Sequence, residues 1–186
     1  NAMAFGYTKG AGSVEGDWYT QIPMALLISV FLPAVALGCA DGMMEQYTKR
    51  QRSRKNAYTG TAGILNPMGY YRLAEAEHEL DAISVFFTDI LNRIQALGQG
   101  GRKLNETEFM EMLSKLSFVA DRTVKANQKL FEGAGSSAIA DFNVMQQYWR
   151  DGQTVRLHTG MDLDLSLQRF GRSLIGLMPS PDIFSP

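Results

Sequence analysis

Residues 66–133 read NPMGYYRLAEAEHELDAISVFFTDILNRIQALGQGGRKLNETEFMEMLSKLSFVADRTVKANQKLFEG, and their periodicity decides the fold. Asn66-Pro67 is a strong helix start, because asparagine can cap the first free N–H groups and proline is tolerated at the first helical position. From there Leu73, Ala76, Leu80, Ile83, Phe87, Ile90, Leu91 and Ile94 recur at spacings of three and four. That is the period of one helix face, and it predicts a helix to Leu97, stopped by Gly98, Gly100 and Gly101. Asn105 with Glu108 three positions later is a capping-box signature. It opens a further helix whose stripe runs through Phe109, Met112, Leu113, Leu116, Val119, Ala120, Val124 and Leu130 to Gly133. Two long amphipathic helices on a short connection pack antiparallel.

Upstream, Ile22 to Ala40 (IPMALLISVFLPAVALGCA) is almost wholly apolar and has the length of a bilayer span. Pro23, Pro33, Gly38 and the immediately following Asp41 make a poor span, and no second segment of that kind exists to pack against it. The run is instead read as one long helix passing from buried core into Gln46–Lys55 at the surface, bent at Pro33 where a backbone donor is lost, with no membrane as a partner. Downstream, a fourth helix is expected over about Ser137–Asp151 and a last one over about Asp162–Leu177, with Gly152 and Thr159-Gly160 marking the irregular stretch between. No window alternates as a strand does. The predicted fold class is all-α: an antiparallel four-helix bundle with a short extra C-terminal helix. Residues 1–17 are expected to be a lead-in, Asn1-Ala2 before Met3 reading as a tag-cleavage scar and 4–17 as a glycine-rich mobile stretch. Residues 18–180 form the bundle domain and 181–186 a tail.

Composition bounds the function without naming it. At 186 residues the chain is about one domain, able to bury roughly 70% of its unfolded surface. Eighteen Lys and Arg against 19 Asp and Glu give a net charge of −1, which offers no electrostatic case for nucleic acid. A single cysteine, Cys39, excludes an internal disulfide and fits a reducing, cytoplasmic location.

Several chemistries are weighed and set aside. Glu75-x-x-His78 is half of a di-iron site, but the only other histidine, His158, has Val155 three residues before it, so EAEHELD (75–81) reads as a solvated helix face. Two histidines and one cysteine do not close a zinc tetrahedron without carboxylates. No Gly-x-Ser-x-Gly is present, and Cys39 sits where a thiol is inert. The basic run Lys49–Lys55 (KRQRSRK) complements a helix C-terminus.

The stretch 131–179, FEGAGSSAIADFNVMQQYWRDGQTVRLHTGMDLDLSLQRFGRSLIGLMP, is the part that could touch a cofactor. Gly133 and Gly135 lead into Ser136 and Ser137, which can be a helix stop followed by an N-cap or a backbone cradle for an anion. Arg150 and Asp151, adjacent on a helix, point about 100° apart and are expected to bind different neighbours, as a buried Arg–carboxylate link between helices or subunits.

Taken together, the Gly133–Ser137 turn, Tyr148-Trp149-Arg150-Asp151, Leu157-His158 and Phe170-Gly171-Arg172 with Leu174-Ile175-Gly176 resemble the last helices of the acyl-CoA dehydrogenase superfamily. Within it they resemble the type 2 C-terminal domain of two-component, flavin-dependent monooxygenases of the para-hydroxyphenylacetate hydroxylase oxygenase kind. Tyr47–Gly60 and Tyr71–Ala76 look like the end of the first helix and the start of the second, so the resemblance covers about 20–178. It implies FAD or FMN as cofactor, reduced by a partner flavin reductase, and an aromatic or related small substrate hydroxylated with oxygen. It also implies a homodimer or homotetramer. Arg54 with Gly133, Gly135, Ser136 and Ser137 would contact flavin phosphate across a subunit boundary. His158 would be the catalytic residue, hydrogen-bonding a substrate phenol or the flavin. The related dehydrogenases carry a glutamate base before a Gly-Thr; here Arg156–Gly160 supplies none, leaving Asp162 or Asp164 for an acyl-CoA dehydrogenase reading. A non-catalytic oligomerisation module is the third reading. Family members also have an N-terminal helical domain and a central β-domain. The chain looks like their C-terminal third, truncated or standing alone, and flavin binding by it in isolation is expected to be weak.

Overall fold

The computed structural model describes residues 18–56 and 58–177; the lead-in and the tail expected at the two ends lie outside them. Five α-helices follow in order: α1 (Met24–Ser53), α2 (Pro67–Gln99), α3 (Glu106–Ala134), α4 (Val144–Arg156) and α5 (Leu163–Leu174). Single 3-10 turns lie at Trp18–Gln21, Gly63–Leu65, Ser136–Ile139 and Thr159–Met161. Among the described residues no strand forms, and the fold is the antiparallel all-α bundle that the two periodic stretches predict. Helix α3 stands in the middle and packs against α1, α2, α4 and α5.

The starts are local chemistry. The Asn66 side chain accepts from the Met68 N–H, with Pro67 in the first position of α2. At α3 the Asn105 side chain accepts from the Glu108 N–H at 2.9 Å while the Glu108 carboxylate accepts from the Asn105 N–H at 2.9 Å, so two otherwise unpaired donors are satisfied at once. Arg102 adds a fork onto Glu108, at 2.6 and 2.9 Å.

The core divides along the bundle. Toward the N-termini of α1 and α3 lie Ile22, Leu26, Ile90, Ile94, Phe109 and Leu116; toward their C-termini lie Met43, Tyr47, Ala76, Leu130, Ala134 and Met145. Each fully buried aliphatic here contributes about 1.5–3 kcal/mol. Helix α1 is long and apolar enough to cross a membrane by length and composition. Its inner face, Leu26, Ala36, Ala40, Met43 and Tyr47, is buried inside the bundle, while Met24, Ile28, Phe31 and Val35 form an exposed stripe, Phe31 at 67%. The helix runs on through Pro33, itself buried. At the N-terminal end the turn at Trp18 presses its backbone against α2, where a Cβ on Gly98 would lie 2.6 Å from the Trp18 carbonyl oxygen.

Apart from shifts of one or two residues, such as α2 running through Gly98 to Gln99 with Gly100 as its cap, three boundaries differ from the sequence expectation. The fourth helix starts at Val144, not Ser137: Gly135 at φ +81° ends α3, Ser136–Ile139 makes one 3-10 turn, and Asn143 caps α4 through the Met145 N–H. It also continues through Gly152, which is buried against α3 because a side chain there would approach Asn127 Nδ2 at 3.1 Å. The last helix stops at Leu174, where Gly176 at φ +76° lets the Leu177 N–H reach the Arg172 carbonyl at 2.9 Å and the Gly176 N–H reach that of Ser173 at 3.1 Å.

Candidate functional site

The residues singled out by the sequence fall at two ends of the molecule. At one end, the C-termini of α1 and α3 meet. Arg50 Nε and Arg54 Nη1 both donate to the Ala134 carbonyl, at 2.8 and 3.1 Å, and Arg50 Nη2 donates to Ser137 Oγ at 2.5 Å. This carbonyl is one of the unpaired acceptors at the negative end of α3, which is why two cations gather on it. Burial, and then the neighbouring Arg54 charge, lower the Arg50 pKa. The structure thus joins Arg54, Gly135 and Ser137 in one turn, with Ser136 exposed beside them. Gly133 is glycine for packing: a Cβ there would sit 2.8 Å from both Tyr47 Oη and Arg72 Cδ. Sequence reading missed Arg50, although a guanidinium four residues before Arg54 on one helix face was there to be seen.

At the other end is His158. It caps the 3-10 turn Thr159–Met161, its Nδ1 accepting from the Gly160 N–H at 3.0 Å. With Nδ1 used as acceptor, the neutral ring carries its proton on Nε2, which becomes a donor. His158 is exposed at the rim of a cavity of about 270 Å³. Ala25, Ile28 and Leu32 of α1, Phe109 and Leu113 of α3, and Leu165 and Arg169 of α5 line its walls. A second, polar depression on the far side of His158 is lined by Asp121, Lys125 and Arg156. There Asp121, its side chain 5% exposed, pairs with Lys125 at 2.7 Å and Arg156 at 3.4 Å and ties α4 to α3.

The two ends are far apart. From Ser29, at the cavity, to Arg54 is 25 residues of α1 and its cap, or roughly 37 Å at the helical rise. One flavin cannot touch both places in a single chain.

The Tyr148–Asp151 run is placed differently from the expectation. Arg150 and Asp151 meet each other at 3.8 Å, with side chains 62% and 45% exposed, so neither forms a buried interhelical link within the chain. Solvent at the α4 surface leaves the long Arg150 side chain free to bend toward the carboxylate of its neighbour. The residue of that run that fastens α4 to α3 is Trp149, stacked on Phe131 at 5.0 Å between ring centres and hydrogen-bonded through Nε1 to Gln128. Glu75, in the half-exposed Glu-x-x-His stretch, turns with Glu79 to Lys129 at 3.2 and 2.8 Å.

The chain is 28% identical over 180 residues to the oxygenase component of p-hydroxyphenylacetate 3-hydroxylase from Acinetobacter baumannii, covering 96% of this chain and 42% of that protein. It is 28% identical over 184 residues to the oxygenase component of FADH(2)-dependent resorcinol hydroxylase from Rhizobium sp. (strain MTP-10005), covering 94% of this chain and 44% of the relative. In fold it resembles XiaF from Streptomyces sp. in complex with FADH2 and glycerol, with a TM-score of 0.82, 17% identity, and coverage of 92% of this chain and 43% of that one. It also resembles the HsaA monooxygenase from M. tuberculosis, with a TM-score of 0.80, 22% identity, and coverage of 96% and 45%. The chain therefore spans less than half the length of the relatives it matches. The family described as acyl-CoA dehydrogenase, C-terminal domain matches residues 30–163, and the chain belongs to that family.

Proposed function

We propose that this chain is the C-terminal helical domain of the oxygenase component of a two-component flavin-dependent monooxygenase that hydroxylates an aromatic or related small substrate. The observation that carries the reading is His158: a ring with a fixed tautomer at the mouth of an apolar cavity, in a chain whose relatives are named as flavin-using hydroxylases. The donor atoms at the other end suit a flavin's phosphate, since Arg50 and Arg54 share one neutral acceptor and retain N–H groups for an anion. Reduced flavin, when bound, supplies the electrons for oxygen activation. The protein's own share is to orient the substrate: Nε2–H of His158 donates to a phenol oxygen, and Ile28, Leu32 and Leu113 exclude water from the ring beside it. Because the two ends lie too far apart for one flavin, each flavin would take His158 from one subunit and the Arg50–Arg54–Ser137 turn from another, which makes a homo-oligomer part of the proposal.

The test uses the protein with all the domains its relatives carry, supplied with a flavin reductase. His158→Ala should lower hydroxylation or divert oxygen to hydrogen peroxide while flavin still binds. Anaerobic bleaching of the oxidised flavin by an acyl-CoA, with His158→Ala fully active, would overturn the reading in favour of a dehydrogenase.

A further inference from the structure

The cavity below His158 contains a charge that the hydroxylase reading does not use. Arg169, on α5, is 5% exposed, lines the cavity, and makes no ion pair among the described residues; its Nε is buried without a hydrogen-bond partner. The described residues around it offer its Nε no acceptor. Two of the three hydroxyls in the lining are committed to helix carbonyls, Ser29 Oγ donating to Ala25 at 2.8 Å and Ser166 Oγ to Leu163 at 3.0 Å, and the third, on Thr159, is exposed beside His158 at the rim. The other charged side chain in the lining, Asp162, is held at the start of α5 by the Leu165 N–H at 2.9 Å. It lies seven residues from Arg169, about 10 Å along the helix axis. Apart from His158, Thr159 and Gly160 at the rim, the remaining walls are aliphatic or aromatic: Ala25, Ile28, Leu32, Phe109, Leu113 and Leu165. A buried guanidinium with no counter-ion among the described residues, in a chamber whose inner walls are apolar, is chemically suited to an anion.

We propose that Arg169 is the anion anchor of this cavity and that the ligand it selects is an amphipathic carboxylic acid, its carboxylate on the Arg169 guanidinium and its apolar body along Ile28, Leu32 and Leu113. This rests on the reading of the cavity as the substrate pocket and adds the feature that discriminates among substrates. Arg169 is a specificity residue here: the guanidinium offers a forked pair of donors that matches a carboxylate and has no equal match in an amide or alcohol. Orientation follows, because an acid held at Arg169 presents its far end toward the rim, where His158 stands.

Direct binding tests this without flavin, so its outcome is separate from that of the hydroxylase assay. The purified 186-residue chain is titrated with phenylacetate and, in parallel, with the neutral phenylacetamide, following backbone amide NMR shifts. The acid should bind at least about tenfold tighter, the factor given by about 1.4 kcal/mol of charge-assisted hydrogen bonding. Its shifts should map to α5 and the first turns of α1. Arg169→Met should bring the two ligands level, Arg169→Lys should keep part of the preference, and Arg150→Ala, at the exposed surface of α4, should keep all of it. Should Arg169→Met fail to fold, the acid–amide comparison in the unaltered chain still decides the matter. Equal affinity for the two, no binding of the acid at millimolar concentration, or shifts confined to the Arg50–Arg54 turn would each overturn the proposal. The last two would leave Arg169 to be met by a carboxylate from another part of the protein.

Discussion

Single residues in this bundle are chosen by what lies across from them. Gly42 is such a case: a Cβ there would lie 2.6 to 2.9 Å from three ring atoms of Tyr148, so α1 and α4 approach as closely as they do only because that position is bare. Gly42→Ala gains helix propensity, up to ~1 kcal/mol, but forces the ring and α4 outward, which costs about 1–3 kcal/mol. A net destabilisation is expected, read as a lower Tm; an unchanged or raised Tm would show that Tyr148 swings aside freely. Such packing is invisible in sequence. The same holds for Arg169, whose burial depends on α1, α3 and α5 meeting around it, and for Arg150, where a buried link was expected and solvent was found. His158 was legible as a site candidate through its motif, whereas its cap onto Gly160 was not, because the period of the flanking helices says nothing of the turn between them.

At the level of helices, what was legible was local. Asn66-Pro67 and Asn105 with Glu108 each bond to backbone within three residues, so their pattern alone marks a start. The start of α4 was misread because Ser137 looks like a cap, while its hydroxyl instead accepts from Arg50, a residue 87 positions away. The α3 cap also carries a pH signature. The Arg102 hydrogen bonds, then the Asn105 N–H, lower the Glu108 pKa below its ordinary value. A depressed carboxyl contributes stability that is present above its unfolded pKa, about 4.3, and is lost as pH falls through the lower folded value. Glu108→Gln should therefore melt below the parent at pH 7, and the gap should close as pH drops beneath about 4. A gap independent of pH would mean that the ionised carboxylate is not what matters.

For the whole molecule, the stripe Met24, Ile28, Phe31 and Val35 leaves one side of α1 apolar and uncovered. If copies of the chain associate through it, light scattering should find a dimer or tetramer, and Phe31→Glu should shift it to monomer while the helical circular dichroism is kept. A parent that is monomeric at every concentration would speak against this. The distance between the two ends of α1 allows a stricter test in the multidomain protein. His158→Ala and Arg54→Ala enzymes, each impaired alone, should regain part of the activity when co-assembled, since one mixed site then has both residues intact. Separate sites within each subunit would give no recovery.

The contact of Trp18 with Gly98 fixes where the polypeptide enters. Trp18 and Ile22 sit with Leu26, Ile94 and Phe109 in the same packed cluster, and Ala25 and Phe109 are already walls of the cavity. The described chain thus begins at the same end of the bundle as the chamber and not at the arginine turn at the opposite pole. A domain joined to that end would be tethered on the side of the molecule where the opening lies, which raises its local concentration at the entrance. The point of attachment itself would then act as a doorkeeper, deciding what reaches the ring of His158 before any side chain inspects it.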